Sequence, residues 1–157
     1  MPQEQLYSLA YFSRNSIDGT PDAVEANIAA ILRSARRNNH RVGVTGALLF
    51  SDGCFAQVLE GEREHVEATF EAIQCDPRHR DVTILHLHQV EHRSFGAWSM
   101  AFAGVDGVSV DPNINAEGME PLDNIMATEA GQNLLASLRS VVRRDDLGRR
   151  DEVALHA

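Results

Sequence analysis

The 157-residue chain carries 23 acidic against 14 basic side chains, a formal net charge of -9, so it repels phosphate backbones and direct nucleic-acid binding is not expected. Its 43% hydrophobic residues suffice for one core and leave no room for a second large domain, and its two cysteines are too few for a disulfide framework. No stretch approaches the roughly 20 apolar residues that span a bilayer, and the N-terminus has no basic segment leading into an apolar run, so the chain reads as cytoplasmic without membrane contact.

In chain order, residues 6–13, LYSLAYFS, alternate loosely and predict a first strand. Thr20-Pro21-Asp22 supplies an N-cap, a first-turn proline and an acid, and Val24, Ile28, Ile31, Leu32 and Ala35 then follow helical spacing, which predicts a helix ending near Arg37 or Asn38. After the polar stretch Asn38 to Arg41, VGVTGALLF reads as a buried strand, Ser51-Asp52-Gly53 as a hairpin turn and CFAQVLEG as the antiparallel partner. Val66, Thr69, Phe70 and Ile73 mark a second helix that Cys75-Asp76-Pro77 ends; strands at Val82 to Val90 and WSMAFAG follow. This order predicts an α+β, ferredoxin-like sandwich, βαββαββ, with both helices on one face of a five-stranded mixed, largely antiparallel sheet. Beyond Gly104 the chain turns polar and turn-rich until Thr128, which can cap a helix whose Leu134, Leu135, Leu138, Val141 and Val142 form one stripe. The organisation expected is one folded domain at 1–104, a linker with C-terminal helices at 105–144, and a polar tail at 145–157.

Several residues stand out from a plain core. Alternation along the third strand sets Gln57 with Phe55 and Leu59, and Ala56, Val58 and Glu60 on the other face. A buried primary amide needs polar partners, so Gln57 either faces solvent or a loop carbonyl, or serves as a buried polar ligand. Tyr11 shares parity with Tyr7 and Leu9 and reaches the same layer if the strands adjoin. Trp98, Met100 and Phe102 fall on one face of the last strand. Asn38 and Asn39 read either as a helix stop or as two amides able to grip a ring with amide-like edges. His86, His88 and His92 lack a cysteine or carboxylate to complete a metal site and read as a solvated strand face, so no metal is expected.

Together, SLAYFS, RRNNHRVGVTGALLF, FAQVLEGE, DPRHR and FGAWSM resemble the BLUF family, sensors of blue light using FAD, over roughly Leu6 to Gly104. The resemblance implies the sandwich derived above, with FAD held between the two helices. It implies that Tyr11 is the photoactive tyrosine and Gln57 the switching glutamine, that Asn39 bonds the pyrimidine edge of the ring with Asn38 beside it, and that Ile31 packs against the ring. Arg78 and His79 match positions near the phosphate-bearing part of the cofactor, with Arg80 as a further helper, and Trp98 and Met100 match a pair that relays the signal near Gln57. No substrate is turned over: the chain is expected to be no enzyme, to pass its signal through the C-terminal stripe, as cap or as contact surface, to an unidentified downstream protein, and to form a homodimer or higher homo-oligomer. Two rivals share the fold. An acylphosphatase-type hydrolase would need an arginine-bearing glycine-rich loop near strand one, which this sequence does not show, and a regulatory module binding a small metabolite without photochemistry would need no Tyr11–Gln57 pair.

Overall fold

A computed structural model of the chain describes residues 5–15, 21–51, 53–77, 79–96, 99–104 and 125–140. Their order is β1 (Leu6–Asn15), α1 (Pro21–Val42), β2 (Thr45–Ser51), β3 (Cys54–Glu62), α2 (Arg63–Gln74), β4 (His79–Val90) and β5 (Ala101–Gly104), followed by a helix over 129–140, here α3. The sheet order is β4-β1-β3-β2-β5, antiparallel throughout except where β5 runs parallel to β2. The α+β sandwich expected from the element order is the fold observed. β3 occupies the centre because eight of its nine positions are buried on one face or the other.

Alternation splits β3 between two cores. Phe55 and Leu59 join Leu9, Tyr11, Ile28, Leu32, Leu48, Phe70 and Phe102 in a cluster beneath α1 and α2. On the opposite face Ala56 and Val58 meet Ala10, Ala47, Ala101, Phe95, Ile125, Leu134 and Leu138, so that α3 covers small side chains where α1 and α2 cover large ones. Thr128 caps α3 as its sequence position suggests: the Gly131 amide donates to Thr128 Oγ1 at 2.9 Å. Val141 and Val142, like Thr20, lie outside the described residues.

The first helix overturns an expectation. It runs past Arg37 and Asn38 to Val42, so Asn38 to Arg41 are helical and not a connector, and β2 begins at Thr45 rather than Val42. The stop signal is Gly43, whose φ of 74° only glycine adopts without strain, and the Val44 amide closes the end by donating to the Asn39 carbonyl at 2.9 Å. Asn38 and Asn39 were a plausible stop by residue type, but a glycine four residues later competes better for the left-handed position. β4 starts earlier than Val82, at His79, because its first residues pair with the end of β1. Strand β5 begins at Ala101, shorter than WSMAFAG suggests; residues 97 and 98 lie outside the described residues.

Candidate functional site

The antiparallel register sets Tyr11 of β1 directly opposite Gln57 of β3, and both side chains enter the α1/α2 layer. The Tyr11 hydroxyl donates to Gln57 Oε1. The amide nitrogen of Gln57 donates in turn to the Met100 sulfur at 3.2 Å. Tyr11 is wholly buried, with its ring against Phe70 at 5.4 Å. Burial, reinforced by the carboxylate of Asp76, pushes its phenol far above the ordinary range, so it remains a protonated donor. The question left open by the sequence is settled: Gln57 is 5% exposed, and its polar partners are the side chains of Tyr11 on the neighbouring β1 and of Met100 just before β5.

Gln57 also faces a cavity of about 440 Å³ between the two helices, within the range of small-molecule sites. One wall is a single face of α1, made by Ile31, Ser34, Ala35, Asn38, Arg41 and Val42 at spacings of one and two helical turns. The other is the matching face of α2 and its end, made by His65, Ala68, Thr69, Ala72, Ile73 and Asp76. Small side chains at 34, 35, 68, 69 and 72 keep the helices from closing on each other, and Leu48 and Gln57 of the sheet form the floor. Asn39 is buried and joins this lining; its Nδ2 donates to the Ser99 carbonyl at 2.9 Å, which leaves its oxygen as an acceptor for an occupant. His79 is buried beside the Tyr11 and Phe55 rings, with Nδ1 2.9 Å from Ser13 Oγ.

Of the residues singled out in the sequence, Tyr11, Gln57 and Met100 form one hydrogen-bonded chain, and Ile31, Asn38, Asn39 and His79 line the adjoining cavity. Arg78 and Trp98 lie outside the described residues. Arg80 is exposed on β4 opposite Arg14 and does not line the cavity. Sequence reasoning passed over Arg41, His65 and Asp76. The first was missed because the helix was ended too soon; continuing the spacing of Ile31 and Ala35 through Asn38 reaches Arg41 and Val42. His86, expected on a solvated face, is half-buried: it meets Ser8 Oγ at 2.9 Å and stacks 4.3 Å from His88 on the α3 side of the sheet. Among the described residues no group of histidine, cysteine and carboxylate side chains is placed to hold a metal ion. None of the described helices is long and apolar enough to cross a membrane.

The lining has the chemistry for a flat ring with amide-like edges: apolar residues and alanines face the cavity from both helices, and the amides of Asn38, Asn39 and Gln57 border it. The family described as sensors of blue-light using FAD matches residues 6–101, more than half of the chain. The chain belongs to the BLUF family. Among its relatives is a photoactivated adenylate cyclase subunit beta of Euglena longa, 32% identical over 108 residues, a match covering 68% of this BLUF chain but 12% of the relative. The solved dark-state structure of BlrB, a BLUF protein, is 30% identical with a TM-score of 0.63, covering 87% of this chain and all of that one. The ground state of BlsA is 34% identical with a TM-score of 0.61, covering 64% of this chain and 66% of that one. The family cofactor is FAD, and the slot built by α1, α2 and the sheet has the donors and shape to take its ring.

Proposed function

We propose that this BLUF protein is a blue-light photoreceptor switched by Tyr11, Gln57 and Met100, and that it acts by changing shape and not by turning over a substrate. The observation that carries the reading is the chain of bonds from the Tyr11 hydroxyl through the Gln57 amide, which lines the cavity, to the Met100 sulfur. When bound, FAD supplies the absorption of blue light and an excited state that accepts an electron. Tyr11, protonated and buried, would be the donor: the bond to Gln57 Oε1 is the path by which its phenolic proton would leave with the electron and come back when the electron returns. The nitrogen of Gln57 rests on a thioether, a weak acceptor, so turning or tautomerising the amide sacrifices little. The rearranged Gln57 amide would persist after the proton has returned to Tyr11, and its altered bonding at the cavity would be read as a small shift of the cofactor's absorption to the red.

Asn39 would hold the pyrimidine edge with Asn38 beside it, and Ile31 would pack on the ring, all three lining the cavity. His79, which lines the cavity, and Arg78, by its place in the sequence, would serve the phosphate-bearing portion, with Arg41 adding a cation at the same cavity. Met100, with Trp98, hands the change to β5, and from there it passes to the C-terminal segment at 105–144, leaving 1–104 as the sensor and 145–157 as a tail. The listener is a separate protein or a second copy of the chain; the names of the cyclase relatives support an effector role downstream of this sensor.

The test is the absorption spectrum of the purified protein in the dark, under blue light and during dark recovery. Flavin bands that shift to the red by a small, reversible amount are expected. A protein that takes up no flavin after reconstitution with FAD would overturn the reading in favour of a metabolite-binding module.

A further inference from the structure

Helix α1 holds the approach to β5 by two consecutive carbonyls. Arg36 Nε donates to the Met100 carbonyl at 3.0 Å, and Asn39 Nδ2 donates to that of Ser99 at 2.9 Å. The two donors are three positions apart, so they lie on one face of the helix. Asn39 has a second duty in the cavity, whereas Arg36 does not line it. The β2–β5 register begins at Ala101, so Met100 stands one residue outside the ladder, and the guanidinium takes its carbonyl there.

Met100 is thereby held at both ends. Its backbone is fixed by a charge-assisted bond, and its sulfur is engaged by the weaker N–H from Gln57 at 3.2 Å. The methyl end is hemmed in as well: a Cβ placed on Gly46 would come within 3.4 Å of Met100 Cε. The anchored backbone is what presents the sulfur to the amide.

We infer that Arg36 is a positioning residue for the light-driven switch: through the Met100 carbonyl it sets the sulfur against Gln57 and speeds the return of that contact after illumination. The inference rests on the function proposed above. If the amide turns in the lit state, Met100 loses its partner, and the return to darkness requires the sulfur to find Gln57 again. With the carbonyl anchored, only the side chain has to search. Without the anchor, the backbone at Met100 must be ordered as well.

Two substitutions of similar length separate the donor from the bulk and the charge. Arg36→Met keeps an unbranched chain and removes the donor. Arg36→Gln places an amide nitrogen the same number of bonds from the backbone as Nε and keeps the donor without the charge. All three residues are good helix formers and the site is half-buried, so the fold is retained. In the FAD-loaded protein, Arg36→Met should bind flavin and shift to the red normally but recover about three- to tenfold more slowly, with Arg36→Gln within about twofold of the parent.

A second readout needs no flavin. The ¹³C-methyl resonance of Met100 in the FAD-free protein should move or broaden in Arg36→Met and stay in place in Arg36→Gln. Unchanged recovery and an unchanged methyl resonance in Arg36→Met would overturn the inference, as would equal slowing by both variants. If the parent protein showed no flavin or no red shift, the proposed function would fall while the methyl resonance still decided whether Arg36 positions Met100.

Discussion

Gln57 and Glu60 are both buried on β3, 5% and 2% exposed, on opposite faces of the sheet, and they are held in opposite ways. Gln57 has one partner on each side of its amide, and one of these is a sulfur. The Glu60 carboxylate receives the Ser94 amide at 2.6 Å, the Phe95 amide at 2.8 Å and the Thr45 hydroxyl at 3.2 Å. Arg93 Nη1 adds bonds to Thr45 Oγ1 and to the Glu60 carbonyl, each at 3.0 Å. Buried polar groups are costly to leave unpaired, so a group with several donors is fixed and one with a weak partner can change. One strand thus carries a part built to switch and a part built to stay. The fixed part ties the strand to the loop that carries Phe95, whose ring packs in the α3-side cluster with Ile125, Leu134 and Leu138.

The largest effect expected is on the switching side. Tyr11→Phe keeps a ring against Phe70 and removes the hydroxyl that meets Gln57, so flavin should remain bound while the red shift disappears. The stability cost should be small by comparison, on the order of 1–2 kcal/mol for the acceptor left behind. A light-minus-dark spectrum and a urea melt separate the two quantities, and an intact red shift in Tyr11→Phe would break the comparison at its root.

Glu60→Ala should do the reverse. Two backbone amides and a threonine hydroxyl lose a charged acceptor inside the fold, which should cost about 3 kcal/mol, read as a lower urea midpoint. The folded fraction should still show the parent red shift, because the Glu60 side chain lies on the opposite face of β3 from Gln57 and Tyr11. Loss of the red shift at unchanged flavin content would show that the two sides of β3 are coupled more tightly than their contacts indicate.

This division was only half legible in the sequence. Strict alternation in FAQVLEG assigned Gln57 and Glu60 to opposite faces, and the parity of Tyr11 brought it to Gln57 once the strands were taken as neighbours. The Glu60 cluster was not legible, because its donors are backbone amides of a loop 34 and 35 residues away, and side-chain patterning carries no trace of such amides. Arg36 was hidden for a related reason: its partner is a carbonyl 64 residues away. The α1 wall was cut short by reading Asn38 and Asn39 as a stop, since residue type favours asparagine there and only the backbone shows that Gly43 takes the left-handed turn.

The smallest effect lies at the β4 edge of the sheet, on its α3 side. His86 stands in a cavity of about 300 Å³ beneath α3, with His88, Glu60, Glu129 and Ser8 around it. Burial, and then the neighbouring His88, lowers its pKa below the ordinary 6.5. The unfolded chain therefore takes up this proton more readily than the folded one, so the neutral imidazole contributes stability that is present above 6.5 and is lost as the pH falls through the depressed value. Carboxylates titrate at the lower end of the same range, so the melting temperature of the parent alone does not isolate the histidine. The informative quantity is the difference between the parent and His86→Gln from about pH 7.5 to about pH 5.5, which should run against the parent as the acid end is approached. A difference that stays flat would mean that β4 and α3 part locally before His86 is protonated, and that the outer face of the sheet is held by Phe95, Leu134 and Leu138 without help from the imidazole.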